Sequence, residues 1–356
     1  MKNVFILIAF TTLLISCSTS STSIAEDTPQ KPDAVEVENT STAWSIPVAE
    51  VLDGGPGQDG IPALENPVMV NADIVFTISG SDLILGYKNG NDIRAYQHSI
   101  LDWHEIINDN IGDVSLAITY CPLTGTGIGW NRVVDGKETT FGVSGLLYQT
   151  NLIPFDRATK SNWAQILNES VNGSLEGKKA DLIQLVETDW GTWRTMYPET
   201  KGVSINTGFN RTYGVYPYVN YKTSNDFFLF PTPKDPRLPL KERVHAIVDD
   251  GDAKVYRFSD FEASNIILDT FKGKNYLIVG SPNFIASFEL DGTQNAFQFS
   301  YIYNGGSAAV LQDNQGTQYN LFGEAISGSG QLKASGSFMG YWFSIPAFYE
   351  TVIYEQ

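Results

Sequence analysis

An α+β fold dominated by strands, built as two tandem copies of one mixed unit packed together, is what the sequence predicts. Three observations point there. Short runs of alternating apolar and polar residues outnumber helix-like runs. Several blocks recur in the same order, about 160 residues apart. A proline-rich segment, Pro231 to Leu240, separates the two sets, and proline lacks the amide hydrogen a central strand needs.

The chain has 356 residues, 42% hydrophobic and 12% aromatic, which is enough apolar material for a substantial core and excludes disorder of the whole. Its 23 Lys and Arg stand against 40 Asp and Glu, a net charge of −17. No basic run occurs, so nucleic acid is excluded as a partner, because a phosphate backbone is held by clustered cations.

Residues 1–16 read as a lipoprotein signal peptide. Lys2 carries the positive charge, and Val4 to Ile15 form an apolar run shorter than the roughly 20 residues a membrane span needs. The run ends in Leu14-Ile15-Ser16-Cys17, which resembles a bacterial lipobox and makes Cys17 the lipidation site. Residues 17–45, rich in Ser, Thr, Pro and acidic side chains, should form a flexible tether. The expectation is an exported protein, anchored to the cell envelope through a lipidated N-terminus, with the membrane leaflet left open.

The body divides into a first repeat, 46–230, the linker 231–240, and a second, degenerate repeat, 241–356. Strands are expected at Asp73 to Gly86, Val114 to Cys121, Ser204 to Ile205, Val244 to Val248, Tyr276 to Val279, Ala296 to Tyr303 and Phe338 to Phe343. Two helices are expected, at Ser99 to Asp109 with Ser99 as N-cap, and at Asn162 to Ser170. Four matches support the repeat. Gly90 to Tyr96 resembles Asp250 to Tyr256, and Tyr96 to Cys121 spans 25 residues, as does Tyr256 to Ser281. Asp156 to Gly173 is echoed by Asp313 to Gly328, and Trp193, Tyr197 and Glu199-Thr200 by Trp342, Tyr349 and Glu350-Thr351.

A duplicated unit is its own control, because groups needed for folding should persist in both copies and reactive groups need survive in one. His98 faces Phe258, His104 faces Ser264, Glu105 faces Asn265 and Cys121 faces Ser281. On the expected helix, Ile100, Trp103 and Ile107 form the buried stripe, His104 edges it, and Glu105 and Asp109 share the next face. Cys121 follows at a strand end, before Pro122 and the glycine-rich Gly125 to Gly129. That loop lacks the Gly-Lys-Ser/Thr ending of a phosphate loop.

Three functions remain open on these residues. A thiol-nucleophile enzyme would use Cys121, activated by His104, with Glu105 or Asp109 orienting the imidazole, Arg157 holding an anionic group and Ser144 donating a hydrogen bond. A metal site would use Cys121 and His104 with His98, a soft set suited to zinc or copper, although no standard ligand spacing occurs. A non-catalytic lipoprotein would bind a small molecule, glycan or protein, with Trp130, Trp163, Trp190, Trp193 and Trp342 as candidate stacking surfaces. His245 reads as structural, and no motif specifies a cofactor.

Four blocks together carry a family resemblance: Trp103 to Asp109, Tyr120 to Thr126, Ser144 to Tyr148, and Asp156 to Trp163. The chain resembles the bacterial domain of unknown function 3179 family, strongly over residues 60 to 205 and weakly in the second half. The resemblance implies an exported or lipid-anchored protein and brings no established activity. Many relatives show a second cysteine where this chain has Thr124, so a dithiol role is not implied here.

Overall fold

Glycine and short polar turns cut the chain into hairpins, and the hairpins assemble into sheets. The computed structural model describes residues 43–75 and 78–355, all within the unit Pro32–Gln356. The expected signal peptide, Cys17 and nearly all of the tether lie outside the described residues. Among the described residues, no helix is long and apolar enough to cross a membrane.

Leu83–Asn89 and Asp92–Gln97 form an antiparallel hairpin turning at Gly90, whose φ of 58° suits a residue without a Cβ. Val186–Asp189 pairs antiparallel with the outer edge of Leu83–Asn89, and Lys201–Val203 pairs parallel with Asp92–Gln97. The same order recurs later. Arg243–Asp249 and Asp252–Arg257 form a hairpin, Ser337–Tyr341 pairs antiparallel on one side, and Glu350–Ile353 pairs parallel on the other. After each hairpin comes a three-stranded meander. The first is Ile106–Ile111, Val114–Cys121 and Thr126–Asn131; the second is Ile266–Phe271, Lys274–Gly280 and Ile285–Leu290.

Polar contacts between hairpin and meander also recur with the 160-residue offset. The Tyr96 hydroxyl donates to Asp109 at 2.7 Å, and the Tyr256 hydroxyl to Asp269 at 2.9 Å. Arg94 pairs with Asp109 at 2.7 Å, and Lys254 with Asp269 at 2.5 Å. Asp109 is therefore a strut between strands.

The cores cross between the halves. One packs Cys121, Trp130 and Trp163 of the first half with Val244, Val255 and Trp342 of the second. Another packs Ile84, Trp190 and Trp193 with Leu277, Phe284 and Phe288. Residues 204–242 contain no strand and one short 3-10 turn, Tyr221–Thr223. The expected linker 231–240 is thus the tail of a longer irregular segment, and it contacts Thr150 of the first half and Trp342, Phe343 and Thr351 of the second.

Several expected elements are corrected. The helix is shorter: α1 spans His98–His104 and starts from Gln97, so Ser99 is not its N-cap. It stops because Glu105 takes φ 57°, and Ile106–Ile111 then runs as a strand against Val114–Cys121. The β-branched isoleucines fit that pleated pairing better than a helix. Glu105 and Asp109 consequently share no helical face. Asn162 to Ser170 is also not helical, because Asn162–Ala164 and Glu169–Asn172 are paired strands. In Asp73 to Gly86, Ala72–Ile74 is a 3-10 turn and the strand begins at Leu83. Ala296 to Tyr303 holds a strand only at Phe299–Tyr301, and the strand from Ser337 ends at Tyr341 before the 3-10 turn Trp342–Ser344. The segment at Ser204 to Ile205 follows the strand Lys201–Val203 and is not part of it. Val114–Cys121 is a strand over its expected bounds.

Candidate functional site

Of the six residues expected to form a site, four lie in separate surroundings. Cys121 ends its strand with 1% of its surface exposed, and its Sγ donates to the Thr150 carbonyl at 3.7 Å. Burial, and then the nearby Glu105, push the thiol up to about 11. Glu105 is itself pushed up to about 8 by burial, although the Tyr218 hydroxyl reaches it at 3.5 Å. Both groups are therefore protonated at neutral pH.

His104 does not serve the thiol. Its Nδ1 meets the Pro62 carbonyl at 2.7 Å and its Nε2 the Tyr213 hydroxyl at 2.6 Å. Asp109 takes Arg94 and Tyr96. Arg157 makes a forked pair with Asp59 at 2.7 and 2.8 Å. The Ser144 hydroxyl donates to the Ile153 carbonyl and accepts from Leu146 N at a bulge between Val143 and Leu146. Of the expected set, only Cys121 and Glu105 come together.

His98, His104 and Cys121 also fail to converge, and no group of three or more His, Cys, Asp or Glu is placed to hold a metal among the described residues. The five candidate stacking tryptophans, Trp130, Trp163, Trp190, Trp193 and Trp342, are all buried in the cores. Their large apolar area is spent on packing, so they present no surface to a glycan. His245 is buried as expected, its Nε2 2.7 Å from the Ser287 hydroxyl.

A different constellation does form, under α1. His98 and Asp102 are four residues apart and share one helical face. That face lines a cavity of about 320 Å³ together with Tyr120, Tyr216, Lys222, Lys241, Arg243 and Tyr341. A neighbouring cavity of about 420 Å³ shares Ser81, Leu83 and Arg243 and adds Glu187, Asp189 and Asn283. The first helix supplies one wall, the second half's hairpin another, and the irregular segment 204–242 the rim.

Glu187 and Arg243 join the halves at its floor. Arg243 Nη2 lies 2.5 and 2.6 Å from the two Glu187 oxygens and 3.1 Å from the Gly125 carbonyl. Burial works against the Glu187 carboxylate, but Arg243 and His98 hold it below its ordinary range. Against the same burial, Glu187 holds the Arg243 guanidinium above its own. His98 Nε2 is 3.4 Å from Glu187, its ring lies 4.5 Å from that of Tyr120, and burial keeps the imidazole neutral by lowering its pKa.

Asp102 is the unusual member. It is 7% exposed, accepts no hydrogen bond from the described residues, and is pushed up to about 7 by burial, with Lys222 acting the other way. Lys222 is exposed at the rim, 4.6 Å from the Tyr216 ring and in no ion pair among the described residues. The buried Lys241 ammonium donates to the carbonyls of Tyr221, Ser224 and Phe227 and lies 3.3 Å from the Tyr221 ring. Burial lowers it to about 8. The sequence reading places Asp102 within a longer helix, Ser99 to Asp109, and does not name it as a site residue. Nothing in the sequence signalled that Glu187 would meet Arg243, since they come from different halves.

A family model described as a protein of unknown function, DUF3179, matches residues 58–352. The chain belongs to that family. The match takes in both halves and the segment between them, so every cavity residue from Ser81 to Tyr341 lies inside it. No curated protein and no solved structure matches the chain.

Proposed function

We propose that this family member is an exported lipoprotein, anchored to the cell envelope through Cys17, that binds a small polar ligand in the cavity under α1. Its body would have arisen by duplication of one unit, the first copy keeping the site and the second supporting it. The carrying observation is Asp102: a nearly buried carboxyl that accepts no hydrogen bond from the described residues and faces a cavity. Burying a polar group without a partner is costly, so such groups are rare unless something else completes them. The cavity gathers Lys222, Lys241 and Arg243 together with Asp82 and Asp102, so its lining offers both signs of charge. Its volume lies at the small end of the roughly 300 to 1,000 Å³ typical of ligand sites.

The recurrence of the sheet order and of the Tyr96–Asp109 and Tyr256–Asp269 contacts supports the duplication. A binding role fits better than thiol catalysis, because the Cys121 thiol is buried, protonated and without a base. The test is a thermal-shift screen of the soluble chain lacking residues 1–17 against sugars, amino acids, carboxylates and phosphates. A stabilising compound whose effect is lost in Asp102→Asn supports the reading; no stabilisation by any class opposes it. Metabolic labelling with a fatty acid, present in the full chain and absent from Cys17→Ala, tests the anchor.

A further inference from the structure

Resting on that binding reading, we infer that the ligand is an amino-acid-like zwitterion, its ammonium group received at Asp102 and its carboxylate at Lys222. Each buried or rim group that lacks a partner asks for a particular complement. When ionised, Asp102 is acceptor-only with spare capacity, and a donor is what it takes. An ammonium is the donor that also answers its charge, and charge-assisted bonds of this kind are about twice as strong as neutral ones. Three phenol rings, Tyr120, Tyr216 and Tyr341, line the same cavity, and aromatic faces favour a cation over an anion.

The other end must be anionic. Lys222 makes no ion pair among the described residues, its charge reaching Asp102 only at longer range, whereas the charge of Arg243 is answered by Glu187 and the Lys241 ammonium is taken by three carbonyls. A plain dicarboxylate or phosphate would satisfy Lys222 but leave Asp102 facing like charge. A neutral sugar could donate to Asp102 but would leave Lys222 uncompensated. Only a molecule with both charges completes both groups. A cavity of about 320 Å³ admits one such small molecule and not an extended polymer.

Isothermal titration of the soluble chain with the free L-amino acids of proteins, and with glucose, succinate and inorganic phosphate as comparators, decides the matter. We expect at least one amino acid to bind. Its N-acetyl derivative should bind at least about tenfold more weakly, because the buried charge pair is lost. Asp102→Asn should cause a similar loss, and Lys222→Ala a smaller one, since that ammonium is exposed at the rim. Circular dichroism of each variant establishes that it is folded. Binding of glucose, succinate or phosphate with no amino acid binding would overturn the zwitterion and leave the binding cavity standing. Equal affinity for the acetylated compound would also overturn it. Failure of every compound to bind would remove both.

Discussion

The segments 98–121 and 258–281 follow the same path through the fold and carry different chemistry. In the first, α1 presents His98 and Asp102 to a cavity, and Glu105 sits buried at the turn. In the second, the matching positions are Phe258, Glu262 and Asn265, and the helix is a single 3-10 turn, Phe258–Phe261. Backbone roles are retained: Tyr120 N donates to the Glu105 carbonyl, as Gly280 N does to that of Asn265. The space is not. The Phe261 ring packs so closely on Gly280 that a Cβ there would come within 2.3 Å of it. In the first segment the corresponding residues are Leu101 and Tyr120, and the tyrosine lines a cavity. One scaffold thus supports a filled core in one place and a charged hollow in the other, and the hollow concentrates the groups that burial titrates.

Breaking the joint between the halves should have the largest effect. Arg243→Met leaves Glu187 buried without its cation, so we expect a loss of about 3–5 kcal/mol in urea denaturation. The double variant with Glu187→Leu should recover most of it, because removing both charges leaves no buried ion unpaired.

Converting Glu105 to the neutral amide of the second segment should change the pH dependence of stability. Its carboxyl is raised to about 8 in the folded chain, against about 4.3 unfolded. The folded state therefore holds a proton that the unfolded state releases between those values. Its stabilising effect is full below about pH 4 and is lost as pH rises through about 8. Asp102, raised to about 7, acts with the same sign. Glu105→Gln should remove a decline on the order of a few kcal/mol, read from urea midpoints at pH 5 and pH 9. An unchanged slope would place Glu105 in contact with water or a cation.

Cys121→Ser, which copies Ser281, should cost about 1–2 kcal/mol, because a hydroxyl is harder to bury than a thiol. The native thiol should also resist alkylation at pH 8 until the chain is unfolded. Lys222→Ala should be the mildest change, within about 0.5 kcal/mol in stability, since its ammonium is exposed. Its effect would be confined to ligand affinity.

The strand-rich character and the strand Val114–Cys121 were legible because alternation reports a half-buried pleat. The end of α1 was not. Ile100, Trp103 and Ile107 satisfy helical spacing, but Ile107 belongs to a strand and Glu105 turns the chain through a left-handed conformation that no local signal marks. The divergence between the two segments drew attention to residues 98 to 121. It favoured the thiol and His104, whose polar atoms the fold engages elsewhere. Asp102 was hidden because its importance comes from what it lacks, a partner, and that depends on Arg243, Lys222 and Tyr341 arriving from distant parts of the chain. Long-range pairing such as Glu187 with Arg243 leaves no mark at either position.

The most direct test of the contrast between the segments is a paired thermal-shift measurement on wild type, Asp102→Asn and Glu262→Gln, with and without the best-stabilising compound of the screen. Glu262 stands where Asp102 would in the second segment and is exposed. If the cavity under α1 is the binding site, wild type and Glu262→Gln will be stabilised alike and Asp102→Asn will not. Equal stabilisation of all three proteins would contradict it.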